Sequence, residues 1–157
     1  PLPFGETGEI HVRGYAVMRE YLDDATATAE AIDTDGWLHT GDVGHMDAGG
    51  YVRITDRMKD MYISGGFNCY PAEVEKLLSE HPDIGMVAVI GVPDARMGEV
   101  GKAFVVPRPG AKPTPDSIIA WAREAMANYK VPRHVEVVDA LPLNAAGKVL
   151  KTELRGG

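Results

Sequence analysis

The lysine near the carboxy end of the chain stands where its charge could serve chemistry. Lys148 follows Gly147 in a segment, residues 141–151, whose Asn, Gly and Pro favour a loop. A lysine there could reach phosphate and carboxylate oxygens together and neutralise the charge that develops as one attacks the other. A lone surface lysine is more often a solubility residue, and the spaced glycines of a phosphate-cradling loop are absent.

An aspartate in the first third of the chain could bind a nucleotide sugar. Asp42 ends the run Gly-Trp-Leu-His-Thr-Gly-Asp, which predicts a carboxylate delivered at a tight turn directly after a strand. Such a carboxylate can accept both hydroxyls of a ribose. An aspartate after glycine is more often a turn former, so both interpretations stay open from these residues alone.

A pair of glycines could line the path of a thin ligand. Gly65 and Gly66 follow the apolar segment 61–63, and the absence of a Cβ would allow another chain to approach closely. A bare Gly-Gly is more often a bulge or a tight turn.

Neither the histidines nor the cysteine indicates a metal site. The histidines are dispersed and lack the spacing of a helix-borne pair, so we expect no metal ligand among them. They are His11, His39, His45, His81 and His134. Cys69 is the only cysteine, which excludes an intrachain disulfide and a cysteine-based zinc site. We expect it to be a small buried residue rather than a nucleophile, in a reducing cytoplasm.

Two units are expected to position these residues. Residues 1–56 predict a small β unit with strands at 9–13 and 51–54 and a short helix capped by Asp24. From residue 60 the pattern predicts an α+β unit with strands at 61–63, 87–92, 103–106 and 135–138. Its helices are expected to begin at Pro71 and near Pro115. The charged segment 56–60 predicts an exposed connection between the units.

Composition narrows the class of protein. The 157 residues carry 16 Lys and Arg against 23 Asp and Glu, a formal net charge of -7, which offers no uniform basic face for nucleic acid. The most apolar stretch, 86–92, falls far short of a transmembrane span and predicts a buried strand. The chain opens at Pro1 without a charged and apolar leader, so we expect residues to precede it.

The order and spacing of these motifs resemble the adenylate-forming superfamily of acyl-CoA synthetases, luciferases and peptide-synthetase adenylation domains. The resemblance runs from Gly5 to Leu154, and its most specific stretches are 37–44, 56–75 and 142–151. The sequence of residues 65–75 is most similar to that of bacterial, especially actinobacterial, acyl-CoA ligases of fatty-acid and steroid degradation.

The resemblance implies a domain organisation. It implies that residues 1–56 are the end of a large AMP-binding domain, 57–60 a hinge, and 61–157 a mobile carboxy-terminal lid. The expected fold class is therefore α+β, with a small β subdomain followed by a compact domain of a small central sheet and flanking helices. The resemblance places Lys59 at the hinge position.

The resemblance also implies roles for single residues. Asp42 and Arg57 match residues that contact the ribose of ATP, and Lys148 matches the catalytic lysine that bridges the acid and the α-phosphate. Gly65 and Gly66 would line the tunnel for the pantetheine of coenzyme A, and Arg123 would meet one of its phosphates.

The function implied is that of the C-terminal part of an AMP-forming acid:CoA ligase. ATP, coenzyme A and a fatty or steroid-derived carboxylic acid would be its small-molecule partners, and Mg²⁺ would be held largely by ATP and by a missing N-terminal domain. This chain alone is expected to be inactive. The alternatives are an adenylation domain that loads a carrier protein and a non-catalytic interaction module that kept the fold.

Overall fold

The computed structural model of the protein describes residues 1–156 and divides into two compact units. One unit covers Pro1–Lys59 and the other begins at Asp60. No helix in the described part of the chain has the length and apolar character that crossing a bilayer requires.

The first unit is built on an antiparallel sheet with the strand order β1-β2-β3. The carboxylate of Asp24 accepts a hydrogen bond from the Ala27 N–H at 2.8 Å, which confirms the predicted cap of the short helix. The elements of this unit are β1 (Gly8–Val12), α1 (Ala25–Ala31), β2 (Leu38–Met46) and β3 (Val52–Arg57).

The prediction of a tight turn at Asp42 was wrong. Asp42 lies inside β2, and the chain stays paired on both sides of it. The register with β1 shifts between Glu9 and His11, opposite the Thr40–Asp42 stretch, where Gly41 has a φ of +69°. A bulge with a glycine in the left-handed region bends a strand and re-aims the next side chain without ending the strand.

Most of the charged segment 56–60 is exposed, as its charges predicted, and Asp56 is the exception. Asp56 lies within β3 and is buried, with an exposed fraction of 8%. Its Oδ1 accepts the backbone N–H of Arg57 at 2.7 Å. The strand continues through Arg57, and a 3₁₀ turn at Met58–Asp60 follows.

The second unit contains a five-stranded sheet with helices on its faces, so the α+β prediction is confirmed. The strands β6 and β7 form its long antiparallel pair, and β8 joins β7 in parallel. The strands are β4 (Tyr62–Ser64), β5 (Phe67–Cys69), β6 (Ile84–Asp94), β7 (Gly98–Pro107) and β8 (His134–Val137). The helices are α2 (Pro71–Leu78), α3 (Pro115–Ala125) and α4 (Lys151–Arg155).

Apolar side chains cover both faces of this sheet. On one face Val89 packs with Leu78 of α2 and Ile118 of α3 in a fully buried cluster. On the other face Ile90 and Phe104 form a second cluster. Because neighbouring residues of β6 point to opposite faces, a strand buried on both sides is apolar at consecutive positions. This burial explains the apolar run at 86–92.

Two facing glycines let the ring of Tyr62 lie against the sheet. Gly91 and Gly101 are register partners on β6 and β7, and a Cβ on either one would overlap Tyr62. Tyr62 itself is 1% exposed. A larger residue at either glycine would therefore displace β4, which carries the Gly65–Gly66 turn.

The start of α3 yields a first prediction. Thr114 accepts a hydrogen bond from the Ser117 N–H at 3.1 Å, and Ser117 Oγ accepts one from the Thr114 N–H at 3.0 Å, which completes a capping box. We expect Thr114→Ala to destabilise the helix by about 1 kcal/mol. Hydrogen exchange of the α3 amides should then be roughly fivefold faster, whereas the exposed Thr152→Ala in α4 should leave it unchanged. Unaltered exchange in Thr114→Ala would contradict the cap assignment.

Candidate functional site

Asp42 and Arg57 form an ion pair on neighbouring strands of the first unit. They are direct register partners on β2 and β3, and Arg57 Nε donates to Asp42 Oδ1 at 3.0 Å. The exposed fractions of the side chains are 24% for Asp42 and 48% for Arg57. Such a solvated pair contributes only about 0–1 kcal/mol to stability, so its geometry matters more than its energy.

The pair leaves hydrogen-bonding capacity for a ligand. Within residues 1–156, no protein donor contacts Asp42 Oδ2, and the terminal nitrogens of Arg57 have no carboxylate partner. The backbone N–H of Asp42 donates to Thr40 Oγ1 at 3.1 Å, which helps to hold the bulge beside this partly exposed carboxylate. One carboxylate oxygen and a guanidinium edge are therefore available to sugar hydroxyls.

The Gly65–Gly66 pair forms the turn of the β4–β5 hairpin. The φ angles are +59° at Gly65 and +88° at Gly66, and both central residues of a type I′ turn need a positive φ. The Gly65 N–H donates to the Met97 carbonyl at 2.9 Å, which ties the hairpin to the beginning of β7. A Cβ on Gly66 would meet nothing within 4 Å. The tight-turn interpretation is therefore correct, and it leaves the space beside Gly66 open.

Lys148 lies on a short loop that its neighbours hold in shape. Asn144 Oδ1 accepts the backbone N–H groups of Ala146 at 3.0 Å and Lys148 at 2.8 Å. Gly147 has a φ of +78°, and the next residue, Val149, pairs with Leu143 and packs on the sheet beside Leu154. The Lys148 side chain is exposed and makes no ion pair within the described residues. The backbone of the loop is fixed while the ammonium group can move.

Arg123 and Lys59 occupy simpler positions. Arg123 lies in the last turn of α3, and its side chain is exposed. Lys59 lies in the 3₁₀ turn at Met58–Asp60, where the first unit ends. In the second unit, the Gly65–Gly66 turn, Arg123 and Lys148 lie on separate elements, and no hydrogen bond or ion pair joins them in the described residues.

Two lysines to which the sequence assigns no role form ion pairs with carboxylates. Lys151 Nζ lies 2.7 Å from Glu75 Oε1, which also accepts the Val89 N–H of the sheet edge at 2.8 Å. Lys130 Nζ lies 2.6 Å from Glu73 Oε1. Burial lowers the pKa of Lys130, but the hydrogen bond and charge of Glu73 outweigh that effect and raise it overall. The α2 positions of both carboxylates were visible in the sequence, but their partners were not.

Cys69 is a buried core residue, as the sequence predicted. It is fully shielded from solvent, and its Sγ lies 3.4 Å from the Tyr129 carbonyl. Burial raises the pKa of the Cys69 thiol, which disfavours the reactive thiolate.

Sequence reasoning missed a cluster of His and Glu side chains in the first unit. His11 and His39 face each other as register partners on β1 and β2, with ring centroids 3.9 Å apart. Glu9 Oε2 lies 2.9 Å from His11 Nε2 and 3.5 Å from His39 Nδ1. The search for helix-borne pairs could not find residues that an antiparallel sheet brings together, although the spacing of Glu9 and His11 put both on one strand face.

Comparison with known proteins identifies the class to which this chain belongs. Residues 73–148 match the family described as the AMP-binding enzyme C-terminal domain. The structure superposes on that of ATP-bound MatB from Rhodopseudomonas palustris with a TM-score of 0.92 and 40% identity, over 99% of this chain and 31% of that one. Residues 73–148 therefore contain the C-terminal domain of the AMP-binding enzymes, and the chain as a whole resembles the adenylate-forming superfamily of these enzymes.

Relatives at higher identity narrow the class further. The chain is 60% identical to a (methyl-dioxo-octahydroindenyl)propanoyl:CoA ligase of Rhodococcus jostii over 96% of its own length and 29% of the relative. It is also 60% identical to the ligase of the same name from Mycobacterium tuberculosis, over 98% of this chain and 30% of the relative. The resemblance to actinobacterial acyl-CoA ligases is thus confirmed. The chain spans less than a third of these relatives, so the activity of the whole protein is a proposal.

Proposed function

We propose that the intact protein is an AMP-forming acid:CoA ligase. The observation that carries the proposal is the Asp42–Arg57 pair, set outward on a strand bulge, in a chain 60% identical to a CoA ligase. In the first half-reaction the carboxylate attacks the α-phosphorus of ATP and releases pyrophosphate, giving an acyl-adenylate. In the second, the thiol of coenzyme A attacks the acyl carbon and AMP leaves.

The nucleotide is held from the first unit in this proposal. Asp42 accepts the ribose hydroxyls through its open oxygen, and Arg57 both holds that carboxylate and contacts the ribose. The exposed ammonium group of Lys148 bridges the acid and the α-phosphate, where negative charge gathers during adenylation. Mg²⁺ is expected to accompany ATP. Asp42 is already paired with Arg57, so no residue of this chain is assigned to that ion.

Coenzyme A is received by the second unit. The open space beside Gly66 fits a thin pantetheine arm, whereas a Cβ on Gly65 would meet the side chain of Met97. Arg123, exposed on α3, is assigned to a phosphate of coenzyme A. Lys59 serves as the hinge, because a residue in a short connecting turn can absorb the backbone change between half-reactions.

The proposed domain roles follow from the assignment of the nucleotide to the first unit and of coenzyme A to the second. Residues 1–56 form the end of the AMP-binding domain, 57–60 the hinge and 61–157 the mobile lid. The remainder of the AMP-binding domain is the partner that completes the enzyme. A cytoplasmic location is part of the proposal.

The substrate proposal rests on the relatives. The acid named for both ligases is a propanoic acid on a methylated bicyclic ring system, which has the ring pattern of a partly degraded steroid. We therefore propose a steroid-derived acid for this protein, with a fatty acid as the second candidate. CoA as acceptor is favoured over a carrier protein because these relatives are named CoA ligases.

The proposal is tested with the intact protein, ATP and Mg²⁺. Bicyclic propanoic, long-chain fatty and aromatic acids are supplied in turn, with either free CoA or a phosphopantetheinylated carrier protein as acceptor. Pyrophosphate release and thioester formation are measured separately. Acyl-CoA formed most efficiently from the bicyclic acid is the expected result. Thioester on the carrier alone would favour the alternative, and no pyrophosphate with any acid would contradict the proposal.

Asp42→Ala should weaken ATP use. Loss of a charged acceptor for the ribose is expected to raise KM for ATP roughly tenfold, which corresponds to about 1.4 kcal/mol. The control is Glu30→Ala, which removes an exposed carboxylate of α1 with no partner in the described residues. An unchanged KM for ATP in Asp42→Ala would remove Asp42 from the nucleotide site.

A further inference from the structure

An antiparallel pairing gathers three ligating side chains on one face of the first unit. Glu9 and His11 are two residues apart on β1, so both side chains point to the same face of the strand. His39, on β2, is the register partner of His11. One ligand atom from each of the three residues lies within 4.8 Å of the others. We propose that Glu9, His11 and His39 bind a divalent first-row transition metal ion, and Zn²⁺ is the ion that we take as its representative.

The spacing of the donor atoms is close to that around one ion, since every pair of them lies within 4.8 Å. Zinc bonds of about 2.1 Å to nitrogen and oxygen put neighbouring ligands roughly 3.0–3.4 Å apart in octahedral or tetrahedral geometry. The Glu9 Oε2 to His11 Nε2 distance is 2.9 Å, and the Glu9 Oε2 to His39 Nδ1 distance is 3.5 Å. Small rotations of the side chains would bring these atoms around a common centre, and the ion would replace the proton that Glu9 and His11 share.

Neighbouring groups already orient two of the three ligands. His39 Nε2, the nitrogen turned away from the cluster, lies 3.5 Å from Asp33 Oδ2. The other carboxylate oxygen of Glu9 accepts the Gly41 N–H at 3.1 Å. Carboxylates on the outer nitrogen of a ligating histidine fix its tautomer and raise its basicity, and this is the usual second layer of a zinc site. Asp33 is itself held by a hydrogen bond from the Trp37 N–H at 2.9 Å.

The charge of the cluster suits a dication. Glu9 contributes a carboxylate, whose negative charge would offset part of the charge of the ion, and the two histidines contribute imidazole nitrogens. Two imidazoles favour zinc, cobalt, nickel or copper over magnesium. This site is therefore not expected to bind the Mg²⁺ that accompanies ATP.

Partial exposure leaves room for a further ligand. The side chains of His11 and His39 are each 37% exposed, and that of Glu9 is 23% exposed. Two histidines, one glutamate and a solvent-facing position match the three-ligand sites in which water completes the coordination. The site needs no residue of the Asp42–Arg57 pair.

The test is a titration of the chelator-treated intact protein with CoCl₂, a zinc substitute with visible absorption. We expect one Co²⁺ equivalent per chain that disappears in both His11→Ala and His39→Ala. The control is His134→Ala, because His134 is exposed on β8 of the second unit, and it should retain that equivalent. Binding by the unaltered protein that survives in both variants, or no binding at all, would overturn the proposal in favour of a metal-free hydrogen-bond network.

A second variant guards against loss of folding. Asp33→Asn keeps all three ligands and is expected to weaken Co²⁺ binding about 10- to 100-fold, because it weakens the orientation of His39. Melting temperatures without metal separate a folding defect from a binding defect, and added ZnCl₂ should raise the melting temperature of the unaltered protein but not of His39→Ala. A Co²⁺ affinity unchanged in Asp33→Asn, with His39→Ala folded and still binding, would exclude the site.

Discussion

In the intact protein carrying Lys148→Ala, we expect the rate of pyrophosphate release to fall roughly 10²–10³-fold. This is the usual loss when one group that stabilises a developing negative charge is removed. Thioester formation from supplied acyl-adenylate should persist. The split is expected because Lys148 is proposed to neutralise charge only while the carboxylate attacks the α-phosphate. Pyrophosphate release and thioester formation are assayed separately on the same preparation.

The structure allows this substitution to be interpreted cleanly. The loop is held by the Asn144 side chain, the positive φ of Gly147 and the half-buried Val149, and none of these depends on the Lys148 side chain. The matched control is Lys112→Ala, since Lys112 is also an exposed lysine of the second unit with no ion pair in the described residues. If both half-reactions survive in Lys148→Ala, the central assignment is wrong.

Gly66→Leu should block the second half-reaction. A leucine side chain would enter the open space that we assign to pantetheine, and misplacing a reacting group by about 1 Å can cost roughly a hundredfold. We expect about that loss in thioester formation from acyl-adenylate, with pyrophosphate release retained. The rate is measured over a range of CoA concentrations.

Backbone strain must be separated from the loss of the tunnel. A leucine at the φ of +88° of Gly66 costs roughly 1–2 kcal/mol. Gly110→Leu imposes the same strain in the second unit, because Gly110 has a φ of +83° and nothing within 4 Å of a Cβ. Gly66→Asn adds a smaller side chain that tolerates this conformation. Equal losses in Gly66→Leu and Gly110→Leu would attribute the effect to strain and contradict the CoA assignment.

Local patterns predicted the elements of this chain well. Pro71 and Pro115 both begin helices because proline suits a first helical position, and the apolar run at 86–92 lies in a strand buried on both faces. Short-range sequence signals were less informative about where the strands and helices end. The strand expected before Asp42 was predicted to end there, because the Gly41 bulge resembles a turn in sequence, whereas β2 continues to Met46. The helix α4 was missed because its five residues follow a loop motif.

The sequence by itself determined the family, the order of its motifs and the residues to examine, because each motif is a run of neighbours in the chain. Only the tertiary structure decided which of them meet. Asp42 and Arg57 become partners through the β2–β3 register, and Glu9, His11 and His39 gather through the β1–β2 register. Strand pairing joins residues far apart in sequence, and its register depends on bulges whose positions no local pattern specifies.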